Sequence, residues 1–479
     1  MSGSPESPPY AQLAALVAQQ ATLIEALQAR ILVQEARIAE LERRLGQNSG
    51  NSSLPPSSDR FGKGKRPARG TGRKPGKQPG APGAGLEMTA DPQEVRDHVP
   101  DSCGGCGRDL NDAAAAAVDA GFLRRQVHDL PEPVGVHVTE HRLHRTRCGC
   151  GHVTTAAAPP QAPSLVQYGP RLVALISYLV VVQHLPYERA VTLIADLVPG
   201  LSPSTGWACT AIARTSQAVA PAGQVIADRL RAATVVHADE TTTSIGGKRW
   251  WLHVACTPFL TAFHLDISRG RDAVTTFGIL PEHTGVLVHD ALSVYDAYTT
   301  AQHGLCGAHL IRELAAAAEA HPDQAWPPAA LDALNDLLTA THTAREHDQE
   351  AVPAEILDPL LHRWDHAVRV GLSQHPRAPG RKQTKTRNLL QRLKDRDQQV
   401  LLFARDLRVP FSNNQAERDL RPAKTQLKIS GCHRSETQAR HWLTIRAYTS
   451  TARKNGLHVL TALSDALTGN LWTPGYTTG

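Results

Sequence analysis

Apolar residues recur every seven positions near the start of the chain. The two seam positions of this heptad are held by Val17, Ile24, Ile31, Ile38 and Leu45, and by Leu13, Gln20, Leu27, Gln34 and Leu41. β-Branched residues on one seam position and leucine on the other favour a two-stranded parallel coiled coil, whose register the glutamines fix. The pattern predicts a helix over 11–46 and self-association. A single helix packed on its own domain is the alternative.

A period of two replaces the helical period after Thr234. Three β-rich runs follow one another, and Gly246-Gly247 between the first two is typical of a hairpin turn. A short helical stretch and a further apolar strand ending at Asp290 come next. Three antiparallel strands, a crossover helix and another strand predict the start of an RNase H-like α/β sheet. The Ala/Leu-rich residues from Ala308 to about Leu407 then predict a helical block that interrupts it.

Two aspartates sit at the predicted strand ends, Asp239 on the first strand and Asp290 on the fourth. If these strands are neighbours, the carboxylates repel each other unless cations lie between them. Two Mg²⁺ ions about 3.5–4 Å apart suit such a site and an in-line phosphodiester displacement. Alternatively, Asp239 is a strand-end turn residue and Asp290 a helix N-cap. Three further aspartates are rivals for the same role: Asp266, Asp272 and Asp296.

A third carboxylate is expected from the stretch "FSNNQAERDLRPAKTQLKISG". Glu417, Arg421, Lys424 and Lys428 lie at helical spacing on one face, which would set cations beside a metal site where DNA phosphates pass. Pro422 is expected to kink or end this helix. Alternatively, Glu417 completes a capping box with Asn414.

Charge is placed unevenly in these 479 residues of net charge +6. Residues 381–454 hold eighteen Lys and Arg against six Asp and Glu, and residues 60–77 hold eight basic and no acidic residues. Two basic zones indicate a polyanion such as double-stranded DNA as partner. The second zone lies in a Ser/Pro/Gly-rich stretch that predicts a disordered linker. Its expected DNA contacts are Lys63, Lys65, Arg66, Arg73 and Lys74.

Four cysteines form two knuckles, Cys103 with Cys106 and Cys148 with Cys150. Since no secretory signal and no membrane-spanning run are evident, a cytoplasmic, nucleoid-associated protein is expected. In that compartment four such thiols predict a structural Zn²⁺ site, and His152 is an alternative to Cys150 as the fourth ligand. Two helices between 187 and 222, the second capped by Ser202 or Ser204, are compatible with a helix-turn-helix.

The segments "HADET", "VLVHDALSVYDAY", "CGAHLIREL" and "NNQAERDLRPAKTQLKISGCHRSETQAR" resemble DDE transposases of the insertion sequence 66 family. The resemblance implies an acidic triad of Asp239, Asp290 and Glu417 that binds Mg²⁺ or Mn²⁺. It also implies that the helical block is an insertion domain. Cys306, His309 and Arg312 match a Cys-x-x-His-x-x-Arg segment that lies near the active site in this family, where His309 is expected to contact the scissile phosphate. Alternatively, His309 is a polar residue on an ordinary helix. Ser412 and the C-x-C knuckle depart from the family's pattern.

The expected function is Mg²⁺-dependent hydrolysis and strand transfer at the inverted-repeat ends of a DNA element, with accessory proteins encoded by that element. A nuclease that does not join and an inactive DNA-binding regulator are the alternatives. Arg312, Arg418, Arg421, Lys424 and Lys428 are the expected DNA contacts of the folded part. The fold expected is a multidomain α/β protein. Its parts are a coiled coil (1–46), linker (47–95), zinc module (96–160), helical region (161–230), core (231–314 and 408–456), helical insertion (315–407) and tail (457–479).

Overall fold

The structure is a computed structural model, and it describes eleven stretches of the chain. These are residues 10–46, 88–92, 94–96, 101–102, 106–107, 109, 125–126, 135–147, 149–150, 152–159 and 164–475. The chain divides into two compact units, one of residues 1–62 with 137–479 and one of residues 63–136. Within the described ranges, no helix has both the length and the apolar character needed to cross a membrane.

The predicted N-terminal helix is present as α1 (Tyr10–Gly46), 37 residues long. Its seam residues Val17, Ile24 and Ile31 are each more than half exposed. An apolar stripe left in water is unfavourable, so this helix retains a face that another helix can cover.

A five-stranded sheet organises the larger unit. Its strands are β3 (Val235–Ile245), β4 (Lys248–Cys256), β5 (Thr261–Asp266), β6 (Val286–His289) and β7 (Gln302–Leu305), in the order β5-β4-β3-β6-β7. β3, β4 and β5 pair antiparallel, while β6 and β7 run parallel to β3. Two shorter strands, β1 (Arg145–Arg147) and β2 (Val153–Thr155), form a separate antiparallel pair.

The predicted hairpin turn is confirmed. Ile245 pairs with Lys248, and the two intervening glycines have φ of 55° and 77°. Positive φ at both central residues is what a type I′ turn requires, and glycine adopts it without a steric penalty. This turn sets the register of β3 and therefore the face on which each of its side chains lies.

Helices cover both faces of the sheet. Before it come α2 (Pro170–Ser177), which continues as a π-helix to Val182, then α3 (Tyr187–Leu197) and α4 (Thr205–Arg231). Within it lies α5 (Arg271–Phe277), and after the helical block come α12 (Asn414–Ser430), α13 (Glu436–Lys454) and α14 (Val459–Leu467). Ser204 caps α4 by accepting a hydrogen bond from the Trp207 amide at 3.1 Å.

The helical block consists of α6 (Gly307–Ala320), α7 (Trp326–Glu346), α8 (Ala354–Gln374), α9 (Lys385–Asp395), α10 (Asp397–Val400) and α11 (Leu402–Arg405). Its core continues into the sheet, since Val286 and Leu305 pack in the same buried cluster as Trp326 and Trp364. The predicted boundary at 314 falls inside α6, whose apolar side packs in the core that the two parts share.

One buried core also extends across two other predicted divisions. The helical region 161–230 is not a separate domain, because Ile176 and Ile212 share one core with Leu252 of the sheet and Ile445 of α13. The segment 457–479 is not a tail throughout, because α14 buries its apolar face, including Leu463, in that same core. In both segments, the helices bury their apolar faces in the core that they share with the sheet.

Candidate active site

Asp239 and Asp290 meet at the carboxyl end of the parallel strands β3 and β6. Pairing between these strands ends at His237 and Val288, and Asp290 follows the last residue of β6 directly. Asp239 lies within β3 rather than at its end, which corrects the prediction, because β3 continues along β4 for six residues beyond it. Ligands bind preferentially at this edge of such sheets.

The two aspartates form a compact acidic group with Glu240. One ligand atom from each of the three side chains lies within 4.8 Å of the others. Asp239 Oδ1 accepts a hydrogen bond from the Glu240 amide at 2.8 Å, and Asp290 Oδ1 accepts one from the Leu292 amide at 3.1 Å. The N-cap alternative for Asp290 is therefore replaced by a turn, in which Ala291 has a φ of 73°. The rival aspartates Asp266, Asp272 and Asp296 lie outside this group.

The carboxyl group of Asp239 is an unusually weak acid, mainly because it is buried. Burial raises the pKa of this carboxyl well above its usual value, and the charges of Glu240, Asp290 and Glu417 raise it further. The ionised form of such a carboxyl group is costly by itself, and it becomes favourable when a cation shares the site. Closely spaced carboxylate oxygens are the donor set that hard divalent ions prefer, so the residues present fit Mg²⁺ or Mn²⁺.

Glu240 has protein partners that satisfy its charge. Its carboxylate accepts hydrogen bonds from Arg269 Nη2 at 2.6 Å and from the Tyr295 hydroxyl at 2.6 Å, and its side chain is 2% exposed. The Arg269 guanidinium also lies over the Trp251 ring, 5.0 Å from its centre. This pairing leaves Asp239 and Asp290 as the members of the group that are free to bind a metal ion.

Glu417 approaches from α12, although it is not part of the 4.8 Å group. Its Oε1 lies 3.6 Å from Arg312 Nη2 and 4.0 Å from His309 Nδ1. The capping-box alternative is wrong, because the N-cap is Asn413, one residue earlier, and its side chain makes no capping bond. Glu417 therefore lies one position beyond the one a capping box requires, and its carboxylate points to the site.

Asn413 clamps the start of α12 against β3. Its Nδ2 donates to the Ala238 carbonyl at 2.8 Å, its Oδ1 accepts from His237 Nδ1 at 3.0 Å, and its amide donates to Cys306 Sγ at 3.1 Å. Burial lowers the pKa of His237 to about 4, so the ring is neutral. These bonds fix the residues flanking Asp239 relative to the helix that carries Glu417.

Gly307, the first residue of α6, has the Phe411 ring at the place where a Cβ would stand. We expect Gly307→Ala to cost about 1–3 kcal/mol, because the ring and the adjoining Asn413 clamp must shift. The thermal unfolding temperature measures this loss. Gly223→Ala in α4 is the matched control, because its Cβ would meet nothing within 4 Å and alanine favours the helix. Equal unfolding temperatures for both variants would contradict the close packing at Gly307.

His309 and Arg312 lie on α6 beside the acidic group. Burial, and then the charge of Arg312, lowers the pKa of His309, and His309 Nδ1 has no hydrogen-bond partner within the described ranges. A cavity of about 230 Å³ opens here, lined by His309, Asp290 and Cys306 among others. The structure thus brings together the residues that the Cys-x-x-His-x-x-Arg segment singled out.

The basic residues of α12 follow Glu417 along the helix. Arg418, Arg421 and Lys428 are exposed and Lys424 is half-buried. Pro422 was expected to kink or end this helix; it does not end it, since α12 continues to Ser430. Buried side chains on both sides of the proline, including Leu420 and Gln426, hold the helix in place despite the missing amide.

Two parts of the chain match known families. Residues 166–441 match the family described as Transposase IS66 family. The chain belongs to this family. The matched span contains all three carboxylates of this IS66 family member. Residues 6–87 match a family of unknown function, DUF6444, and no curated protein matches the chain.

Some of the predicted site residues of this transposase family member cannot be placed. Lys63, Lys65, Arg66, Arg73 and Lys74 lie outside the described residues, and so do Cys103 and Cys148. Cys106 and Cys150 are described, exposed and not in disulfides. The zinc site therefore stays a prediction.

Three polar side chains of the site were missed by sequence reasoning. Glu240 follows Asp239 in the chain, and strand alternation alone assigns it to the other face. Arg269 and Asn413 carry no periodic signal, because each acts through a partner far away in sequence. The position of Glu240 directly after the candidate ligand Asp239 was the one signal in the sequence that pointed to any of these three residues.

Divalent metal should stabilise this IS66 family member through Asp239. Because the pKa of Asp239 is raised in the folded chain, its contribution favours folding at acid pH and is lost as the pH rises through the raised value. At neutral pH we expect saturating Mg²⁺ or Mn²⁺ to raise the unfolding temperature by about 5 °C, as ligand linkage predicts. Asp239→Asn should lose this increase, whereas Asp358→Asn, at an exposed position of α8, should keep it. An unchanged increase in Asp239→Asn would contradict metal binding here.

Proposed function

We propose that this protein is a DDE transposase with an RNase H-like core that cuts and joins DNA at the ends of its element. The observation that carries the proposal is the meeting of Asp239 and Asp290 within 4.8 Å at the carboxyl end of β3 and β6. Glu417 from α12 adds a third carboxylate, whose charge acts on Asp239. The strand order β5-β4-β3-β6-β7, with its first three strands antiparallel, supports the RNase H-like assignment.

Asp239, Asp290 and Glu417 would hold two Mg²⁺ or Mn²⁺ ions. Bound there, the ions would supply Lewis-acid activation of the attacking oxygen and charge stabilisation of the leaving oxygen. The Asn413 clamp keeps the Glu417 helix in register with β3. The Glu240–Arg269 pair keeps a fourth carboxylate out of the coordination set.

Two phosphoryl transfers follow from such a site. In the first, a water oxygen attacks the phosphorus at the element end, and the bond to the 3′-oxygen breaks to leave a 3′-hydroxyl. In the second, this hydroxyl attacks a phosphorus of target DNA and displaces the target's own 3′-oxygen. The chain's contribution is positioning and electrostatics, with no covalent bond to the protein.

Cations beside the acidic group would hold the DNA. Arg312 Nη2 lies 3.6 Å from Glu417 Oε1, so its guanidinium would bind a phosphate next to the metal site. The stripe of Arg418, Arg421, Lys424 and Lys428 continues along α12, and the helical rise per residue places Lys428 about 16 Å along the helix from Glu417. His309 Nδ1 has no hydrogen-bond partner among the described residues, and the His309 ring would contact the scissile phosphate.

The remaining segments would select and pair DNA ends. The exposed apolar seam of α1 supports a parallel coiled coil between two protomers, which would bring two element ends together. The basic linker, the zinc module and α3 with α4 would contribute to end recognition at the nucleoid. Accessory proteins encoded by the element would complete the assembly.

A joining assay tests this proposal. Labelled DNA carrying pre-cut element ends is incubated with the full chain and target plasmid, with Mg²⁺ or with EDTA. Joining in Mg²⁺ and none in EDTA is expected. Cleavage of uncut ends without joining would identify a nuclease, and binding without chemistry would identify a DNA-binding regulator.

A further inference from the structure

One arginine of the helical block, Arg392, lines the cavity of the candidate active site. The cavity beside Asp290 is lined by Arg269, Cys306, His309, Glu313 and, from α9, Arg392. Arg392 lies about a hundred residues after Asp290 in the chain, within the block that separates β7 from α12. Sequence reasoning gave this residue no role.

α9 is fixed in place on two sides. Leu389, Leu390 and Leu393 are buried in the core of the helical block. Arg396, which follows the helix, donates from Nη2 to Asp296 Oδ1 at 2.7 Å, and Asp296 lies on the turn after Asp290. Arg392 is thus held at the wall of the cavity by packing behind it and by an ion pair beside it.

The guanidinium of Arg392 has an N–H donor without a partner among the described residues. Its Nη2 contacts Glu313 Oε2 of α6, while its Nε is buried and has no partner among the residues that the structure describes. An arginine carries five N–H donors in a planar fork that matches the oxygens of a phosphate. A buried donor without a partner is costly, so an anion at this place would be stabilised.

Glu313 shares the cavity and is poorly solvated. Burial raises the pKa of its carboxyl, although the charge of Arg392 opposes the shift. With Asp290 and Glu313 on the wall, a DNA backbone that enters the cavity meets two carboxylates. Arg392 is the cation positioned to turn from Glu313 toward the incoming phosphate.

We infer that Arg392 binds a phosphate of the DNA next to the scissile bond, and that Glu313 is the counter-ion it leaves when DNA enters. This inference rests on the proposed function and specifies how the helical block takes part in it. The block would thereby contribute directly to DNA binding at the active site, where Arg396 ties the end of α9 to the turn after Asp290.

The test measures binding of the full chain to duplex DNA that carries an element end and its flank, in EDTA and over a range of salt concentrations. Arg392→Gln should bind about tenfold more weakly, as the loss of one charge-assisted bond implies. The slope of log K against log salt should fall by about one. Glu313→Gln should bind more tightly than the wild type, an outcome that misfolding does not produce. Arg392→Lys should recover part of the affinity.

Arg363→Gln is the matched control, because Arg363 forms an ion pair with Asp336 at 2.7 Å on the exposed side of the same block. It should leave both affinity and slope near those of the wild type. Wild-type affinity for Arg392→Gln, or weaker binding for Glu313→Gln, would overturn the inference. These readouts need no catalysis, so a wild type that fails to join ends in Mg²⁺ counts against the proposed function alone.

Discussion

Glu417→Gln is expected to reduce end cleavage at least about 10³-fold, because losing a metal ligand removes several kcal/mol of transition-state stabilisation. Asp239→Asn and Asp290→Asn should behave alike. Binding of end DNA should stay within about threefold of the wild type, since phosphate contacts by Lys and Arg supply most of the affinity. Cleavage of labelled ends in Mg²⁺ and binding in EDTA are measured on the same preparations.

Glu355→Gln provides the control for this substitution, because Glu355 is exposed on α8 and far in sequence from the three carboxylates. It should cleave at the wild-type rate. Loss of binding together with cleavage in the Glu417, Asp239 and Asp290 variants would show that these residues support the fold instead of the chemistry.

Lys454→Met is expected to destabilise the larger unit by about 3–5 kcal/mol, the cost of leaving one partner of a buried ion pair unpaired. Lys454 Nζ contacts Asp419 Oδ2 at 2.5 Å and donates to the carbonyls of Thr257 and Leu260 at 2.8 and 2.9 Å. These bonds join α12 and α13 to the turn between β4 and β5. The unfolding temperature should fall by about 10 °C.

Two further variants test whether the loss of stability in Lys454→Met comes from the broken ion pair. Lys248→Met, at an exposed position of β4, should unfold near the wild-type temperature. Asp419→Asn combined with Lys454→Met should recover part of the loss, because the uncompensated charge is gone. A Lys454→Met protein that unfolds like Lys248→Met would show that the ion pair contributes little.

Local signals were enough to predict much of the fold. The period of two and the Gly246-Gly247 turn predicted β3 and β4, and Asp290 was predicted at the end of a short strand. The seven-residue apolar repeat predicted the helix observed as α1, and the Ala/Leu-rich composition of residues 308–407 predicted the helical block. In each case, the information lies within a few residues of the element that it specifies.

The rest depends on contacts distant in sequence. Asn413 acts on Ala238, 175 residues away, and Arg269 acts on Glu240 through a salt bridge across the sheet edge. Pro422 was expected to kink or end α12, but the helix continues to Ser430 because packing on both sides outweighs the lost backbone bond. Such distant partners decide which carboxylate is paired within the protein and which would bind a metal ion. The local sequence pattern therefore did not distinguish Glu240 from Asp239 and Asp290.

Metal-specific rescue of joining tests the central claim most directly. In Asp290→Cys, a thiolate replaces the carboxylate, and thiolate is a poor ligand for Mg²⁺ but is better accepted by Mn²⁺. With pre-cut ends, we expect the wild type to join in either ion and Asp290→Cys to join in Mn²⁺ but not in Mg²⁺. Full joining by Asp290→Cys in Mg²⁺, or none in Mn²⁺ despite normal DNA binding, would contradict metal binding by Asp290.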